Sequence, residues 1–253
     1  MNITHILLVL ITGFVAGIIN TIAAGGSLLT LPLLIFLGLP AAVANGTNRV
    51  AIIAQSISAT IYFYRKGHLE KGIGLILGIP ACLGALIGAN IAISISDHIF
   101  NYILAVMMLV TVIFISIKPK HYHADRNIFE FSLLKKILGS FLFFIIGLYG
   151  GFIQVGAGFF IISSLTILFG FSLTKSNSVK VFVGGIYIFV SLFVFIINNQ
   201  VNWSLGMTLA IGNATGAWVG SRLAIWKGDK LIKIFLIVTV VIMAAQLFGI
   251  NIF

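Results

Sequence analysis

Charge is scarce in this chain, and negative charge scarcer still. Of 253 residues only 8% are charged, with 5 Asp or Glu against 15 Lys or Arg. A soluble domain carries roughly 25% charged residues, so the composition excludes one. Glu70, Asp97, Asp125, Glu130 and Asp229 all fall in loops or at the edges of apolar spans. No intramembrane carboxylate relay of the kind used by proton-driven transporters is visible, and a cation would find no carboxylate ligand within the membrane. The single cysteine, Cys82, excludes a disulfide framework and a cysteine metal cluster, and reads as a packing residue.

What is abundant is apolar. The chain is 60% hydrophobic with a mean hydropathy of +1.19. Residues 1–48, 72–96, 98–117, 137–174 and 181–221 contain no Asp, Glu, Lys or Arg. About 20 apolar residues cross a hydrocarbon core of roughly 30 Å, so several of these stretches hold one crossing and the longest can hold two. The expected fold is all-α: a polytopic integral membrane protein with 8–10 transmembrane segments. The net charge of +10 does not point to nucleic acid, because the basic residues sit in short loops between apolar spans, the positive-inside pattern. Residues 6–22 resemble a secretory signal, yet no positive region precedes them and a matching segment lies near 138–155. Both read as permanent spans.

The chain also repeats itself. A shift of 132 residues lays Gly25-Gly26-Ser27 on Ala157-Gly158-Phe159, Gly38 on Gly170, Asn45 on Asn177, and Gly84 and Gly88 on Gly216 and Gly220. This divides one membrane domain into repeat 1 (1–117), a cytoplasmic linker (118–136) and repeat 2 (137–253). Helices are expected near 5–22, 45–64, 73–94 and 98–117, then near 137–155, 177–197, 203–224 and 231–249, with short apolar segments at 26–37 and 158–169. Twelve helical residues reach only about 18 Å. Short, glycine-interrupted segments at matching places in two halves are a pointer to a transporter's binding site.

Loop charges indicate that the copies are inverted. Arg65-Lys66-Gly67-His68-Leu69-Glu70-Lys71 is basic, whereas its counterpart Asn198-Asn199-Gln200-Val201-Asn202 is uncharged. Ser94 to His98 is not basic, whereas Trp226-Lys227-Gly228-Asp229-Lys230 is. Inversion requires an odd number of segments per half, five plus five if the short ones count. Four plus four would make the repeats parallel. The spacings Gly84-xxx-Gly88, Gly216-xxx-Gly220, Gly13-xxx-Gly17 and Gly147-xxx-Gly151 read as close helix packing.

A polar cluster follows each short segment: Asn45-Gly46-Thr47-Asn48-Arg49, and Lys175-Ser176-Asn177-Ser178-Val179-Lys180. Each is expected to open a helix, whose free N–H groups and partial positive charge favour an anion. Arg49 and Lys180 add full charges, and Thr47, Asn48, Asn177 and Ser178 add hydrogen-bonding groups. The plainer reading is N-capping by Asn45 and Asn177, with the cations snorkelling to the interface. The expected site comprises Gly25, Gly26, Ser27, Asn45, Thr47, Asn48, Arg49, Gly156, Gly158, Asn177, Ser178 and Lys180. Asn20, Gln55 and Gln154 are weaker candidates that helix-to-helix hydrogen bonds explain equally well.

These residues carry a family resemblance over nearly the whole chain. GFVAGIINTIAAGGSLLTLPLLIFLGLPAAVANGTNRVA, followed by KGIGLILGIPACLGALIGA, resembles the sulfite exporter TauE/SafE family of bacterial membrane permeases. GLYGGFIQVGAGFFIISSLTILFGFSLTKSNSVK resembles that family's second repeat, departing at Phe159-Phe160, where the first half has Ser27-Leu28. The resemblance implies transport of sulfite, sulfoacetate or other organosulfonates across the bacterial inner membrane.

The leading expectation is a secondary transporter exporting a small anion between two repeats. An anion channel or a permease for other organic anions is the alternative. A membrane enzyme or assembly factor finds no nucleophile–base pair or metal cluster to support it. The expected partners are the small anion and the lipid bilayer, with a homo-oligomer left open and no nucleic acid, cofactor or metal.

Overall fold

The computed structural model describes residues 3–116 and 132–226. Most of the expected linker 118–136, the helix expected at 231–249 and the basic run beyond Trp226 lie outside the described residues. Among the described residues there are nine helices and no strand: α1 (Ile3–Ala23), α2 (Ser27–Phe36), α3 (Ala41–Arg65), α4 (Lys71–Ser94), α5 (Asp97–Ser116), α6 (Leu133–Phe152), α7 (Ala157–Phe169), α8 (Leu173–Ile197) and α9 (Trp203–Trp226). The chain is a multi-pass, all-α membrane protein. Four helices, α1, α4, α6 and α8, are long and apolar enough to cross a membrane by length and composition. The 25 residues of α3 give about 37 Å, enough to cross as well, but its polar residues are turned inward. The outer faces carry Leu7, Ile11, Ile79, Leu83, Phe141 and Phe189, all exposed, as lipid contact requires.

Helix lengths recur. The order 21, 10, 25 and 24 residues in α1–α4 is followed by 20, 13, 25 and 24 in α6–α9. Two starts differ from the sequence expectation. α3 begins at Ala41, directly after Pro40, and α8 begins at Leu173, where the Ser172 side chain accepts from Lys175 N. Proline is favoured at the first turn of a helix, and serine is a strong N-cap. Neither Asn45 nor Asn177 is therefore an N-cap; each lies about one turn inside its helix. α6 also starts early, at Leu133, so Lys135 and Lys136 belong to the helix rather than to a linker.

The glycine seams fix helix direction. Gly13 of α1 faces Leu209 of α9, and Gly17 faces Asn213 and Ala217, so these helices run parallel. Gly84 of α4 faces Phe144 and Leu148 of α6, and Gly88 faces Leu148 and Phe152, again parallel. α9 also runs parallel to α3, with Gly206 beside Val50 and Ser58 donating to Ala214 O. α8 runs parallel to α4, with Gly74 beside Phe182 and Gly78 beside Ile186. Finally, α3 and α8 are antiparallel: Gly46 meets Phe195, Arg49 meets Ser191, and Ser56 meets Gly185. Thus α1, α3 and α9 point one way, and α4, α6 and α8 the other. Among the described residues, α1, α3 and α4 of the first half thus oppose their counterparts α6, α8 and α9 in the second.

Each short helix turns the chain back. Gly26, at the start of α2, packs against Ala16 and Asn20 of α1, while Thr30 reaches Asn48 near the start of α3. α7 starts at the end of α6 and returns along it until Phe169 meets Gly139. Segment direction therefore alternates from α1 through α4, and Ala41 N, donating to Asp97 Oδ1, sets the start of α5 beside the start of α3. The halves are interleaved, since α1 packs chiefly on α9 and α6 chiefly on α4.

Candidate functional site

Both chain reversals need left-handed backbone. Ala24 (φ 58°) closes α1; Gln154 (φ 64°) and Gly156 (φ 74°) connect α6 to α7. Reversal in mid-bundle leaves the last carbonyls of α1 and α6 without helical partners, in a place where each unsatisfied group costs several kcal/mol.

Side chains from the opposite half satisfy these carbonyls. Asn45 Nδ2 donates to Phe152 O at 2.7 Å, and Arg49 donates to Gly151 O at 2.5 Å, Gly150 O at 3.3 Å, Ser191 Oγ at 2.7 Å and Asn45 Oδ1 at 3.3 Å. Its guanidinium also lies 4.6 Å from the Phe195 ring centroid. In the other half, Asn177 Nδ2 donates to Thr21 O at 2.6 Å, and Lys180 Nζ donates to Asn20 O at 2.8 Å and Thr21 O at 3.3 Å. The two cations thus sit at helix C-termini, where the dipole is negative. The N-terminus expected at these clusters is absent because α3 and α8 begin earlier. The helix N-termini in the centre are those of α2 and α7.

Between the two breaks lies a cavity of about 40 Å³, room for roughly three waters at 10–15 Å³ each. Its polar lining is Asn20, Ser27, Gln55, Ser56, Gln154, Lys180 and Tyr187, beside Ala24, Ala157 and Gly158, with Ile52, Ile161, Val181 and Ile188 on an apolar side. Among the described residues no carboxylate pairs with Lys180; the ion pair present, Lys175 to Glu70 at 2.8 Å, lies at the start of α8. Lys180 is therefore the one charge among the described residues of the cavity wall, set among neutral hydrogen-bonding and apolar groups.

Of the residues expected from sequence, Ser27, Gly158 and Lys180 line this cavity. Gly25, Gly26 and Gly156 form the backbone of the breaks beside it. Gly158 is where they touch: a Cβ there would lie 2.5 Å from Ala24 Cβ and 3.0 Å from Lys180 Cδ. Asn45 and Asn177 cap the broken helices. Thr47 Oγ1 accepts from Asn202 N at 2.9 Å, Asn48 Oδ1 accepts from Thr30 Oγ1 at 2.6 Å, and Ser178 donates to His68 O at 2.7 Å. Arg49 is fully buried and does not line the cavity.

Three residues ranked lower on sequence do line it: Asn20, Gln55 and Gln154. Asn20 Nδ2 does donate to Gln55 Oε1 at 3.0 Å, the helix-to-helix bond that made these residues ambiguous. Ser56 and Tyr187 were not singled out. The one signal for Tyr187 is its spacing, since Lys180, Gly184 and Tyr187 share one helix face at i, i+4 and i+7.

The chain is similar to a probable membrane transporter protein of Haemophilus influenzae, 30% identical over 237 residues, covering 93% of this chain and 91% of that one. It is similar to the probable membrane transporter protein YfcA of Escherichia coli K12, 30% identical over 232 residues, covering 92% and 85%. A third relative is the probable membrane transporter protein ORF9 of Sinorhizobium sp, 29% identical over 243 residues, covering 94% and 90%. No solved structure gives a significant match. The model of the sulfite exporter TauE/SafE family matches residues 9–247, and the chain, a multi-pass bacterial membrane transporter, belongs to that family.

Proposed function

We propose that this transporter exports small oxyanions of the sulfite or organosulfonate type across the inner membrane, by alternating access between two inverted repeats. The observation that carries this reading is the buried Lys180, without an acidic partner among the described residues, in a cavity between the two helix breaks. A pocket whose one charge is positive, with amide and hydroxyl groups around it, suits an anion and repels a cation. The N-termini of α2 and α7 meet there, as in transporters whose half-helix N-termini point at an anionic substrate.

Barriers on both sides of the cavity support alternating access over a channel. One turn beyond it towards the start of α3, Arg49 ties α3, α6 and α8 together beside Phe195. Towards the start of α8, Asn177, Ser178 and the Lys175–Glu70 pair tie α8 to α1 and to the α3–α4 loop. The basic loop 65–71 lies on this second side, as do Lys135 and Lys136 at the start of α6, which makes it cytoplasmic by the positive-inside rule.

Export follows from the electrical gradient. Moving one charge through 100 mV is worth about 2.3 kcal/mol, so an anion leaving a negative interior needs no coupling ion. The test is flux of sulfite and short sulfonates from proteoliposomes holding the purified chain, with an imposed potential. Saturable flux driven by an interior-negative potential and lost in Lys180→Met is the expected result. Unitary currents, or flux indifferent to Lys180, would overturn it.

A further inference from the structure

Gln154 is placed where a glutamine is costly twice over. Its backbone is left-handed at φ 64°, the position after a helix C-cap where glycine is the common residue. A non-glycine residue held there carries about 1–3 kcal/mol of strain. The residue is only 7% exposed, and among the described residues Oε1 has no hydrogen-bond partner. A buried, unsatisfied polar atom costs a further 1–3 kcal/mol or so. A glycine would remove both costs, so packing does not explain the glutamine. What it does have is a place beside the central cavity, together with Lys180, with Oε1 turned just out of the open space so that a rotation of the amide brings it to a ligand.

The two groups offer complementary chemistry. An ammonium has three N–H donors; Lys180 gives two to Asn20 O and Thr21 O and keeps one. Gln154 Oε1 is an acceptor in need of a donor. An oxyanion with only lone pairs answers the lysine alone. An anion that also carries a hydrogen answers both.

We infer that Gln154 is a specificity-determining residue, selecting small monoanions that bear an O–H or N–H group, such as hydrogensulfite, over isosteric anions without one. This rests on the anion-transport reading and narrows its substrate class. Among the described residues Asn48, Asn101, Asn177 and Asn213 also hold unpaired amide atoms, but none of them lines the cavity.

Amidosulfonate and methanesulfonate make a matched pair: equal charge, similar shape, with NH2 in one where the other has CH3. Binding of each to the purified full-length chain in detergent is measured by calorimetry. Amidosulfonate is expected to bind about tenfold more tightly, the worth of one hydrogen bond that satisfies a buried acceptor, and Gln154→Met should level the two. Gln154→Gly should leave the thermal midpoint unchanged or raised while removing the preference. Binding of neither anion would sink the anion reading itself. Binding of both with equal affinity in the wild type, a preference that survives in Gln154→Met, or a midpoint that falls in Gln154→Gly would overturn the role of Gln154 alone.

Discussion

Lys180 Nζ donates to the backbone carbonyl of Asn20 at 2.8 Å, across 160 residues of sequence. One bond thereby joins the two halves, closes the broken end of α1 and sets a positive charge in the wall of the central cavity. Replacing Lys180 by methionine keeps the length and removes the charge. Anion-dependent thermal stabilisation should disappear, because the ligand no longer has a partner that raises native-state stability. Stability without ligand should fall by about 1–3 kcal/mol, since the Asn20 and Thr21 carbonyls lose donors. Both effects are read from unfolding curves with and without sulfite.

Arg49 is expected to behave differently. The guanidinium satisfies Gly150 O, Gly151 O, Asn45 Oδ1 and Ser191 Oγ at once. Arg49→Ala should cost about 3–5 kcal/mol, because several buried acceptors at about 1–3 kcal/mol each lose their donor, and should appear as low yield of folded protein. Arg49→Lys should recover only part of this, because an ammonium cannot reproduce the planar fork. Size-exclusion profiles and unfolding midpoints measure both. A folded Arg49→Ala protein of wild-type stability would show that the cap is dispensable.

Gly158 keeps the two helix breaks in contact. A Cβ at this position would come within 2.5 Å of Ala24 Cβ and 3.0 Å of Lys180 Cδ. Gly158→Ala should displace Lys180 and weaken anion binding at least tenfold, with a stability loss of about 1–3 kcal/mol from overpacking. Calorimetric titration of the variant checks this.

The opposed direction of the two halves can be tested from outside the cell. With Cys82 replaced by serine, Asn199→Cys should react with a membrane-impermeant maleimide in intact cells, and Lys66→Cys only after lysis. Both positions are exposed in turns at opposite ends of the bundle. Labelling of both from the same side would contradict the derived helix directions.

The glycine seams carry their own expectation. At Gly88 a Cβ would fall onto the Leu148 carbonyl, with Phe152 N at 2.7 Å, so backbone rather than a flexible side chain blocks it. Gly88→Val should force α4 away from α6 and lower the unfolding midpoint by several degrees, whereas Gly78→Ala, with Ile186 Cδ1 at 3.5 Å, should be tolerated. Helices held by close approach of small residues lose that contact when one residue grows.

The sequence by itself determined the membrane class, the recurring long–short–long–long order, the glycine breaks and the seams. These follow from composition and spacing, which local physics reads directly: apolar runs must span, and a glycine-rich interruption must bend. It also placed the centre of interest at the breaks, and Ser27, Gly158 and Lys180 are in the cavity wall. Tertiary structure decided what each polar side chain does there. Arg49 and Lys180 look alike in sequence, each following an Asn by one turn or less, yet one is locked among carbonyls and the other borders a cavity. Gln55 and Gln154 are weaker candidates in sequence, equally explained by helix-to-helix bonds, and the fold brings both to one wall. The reason is physical: the carbonyls that claim Arg49 and those that hold Lys180 belong to the opposite half of the chain, more than 100 residues away, and the space that Lys180 borders is enclosed only when both halves come together. No local pattern encodes a partner at that distance.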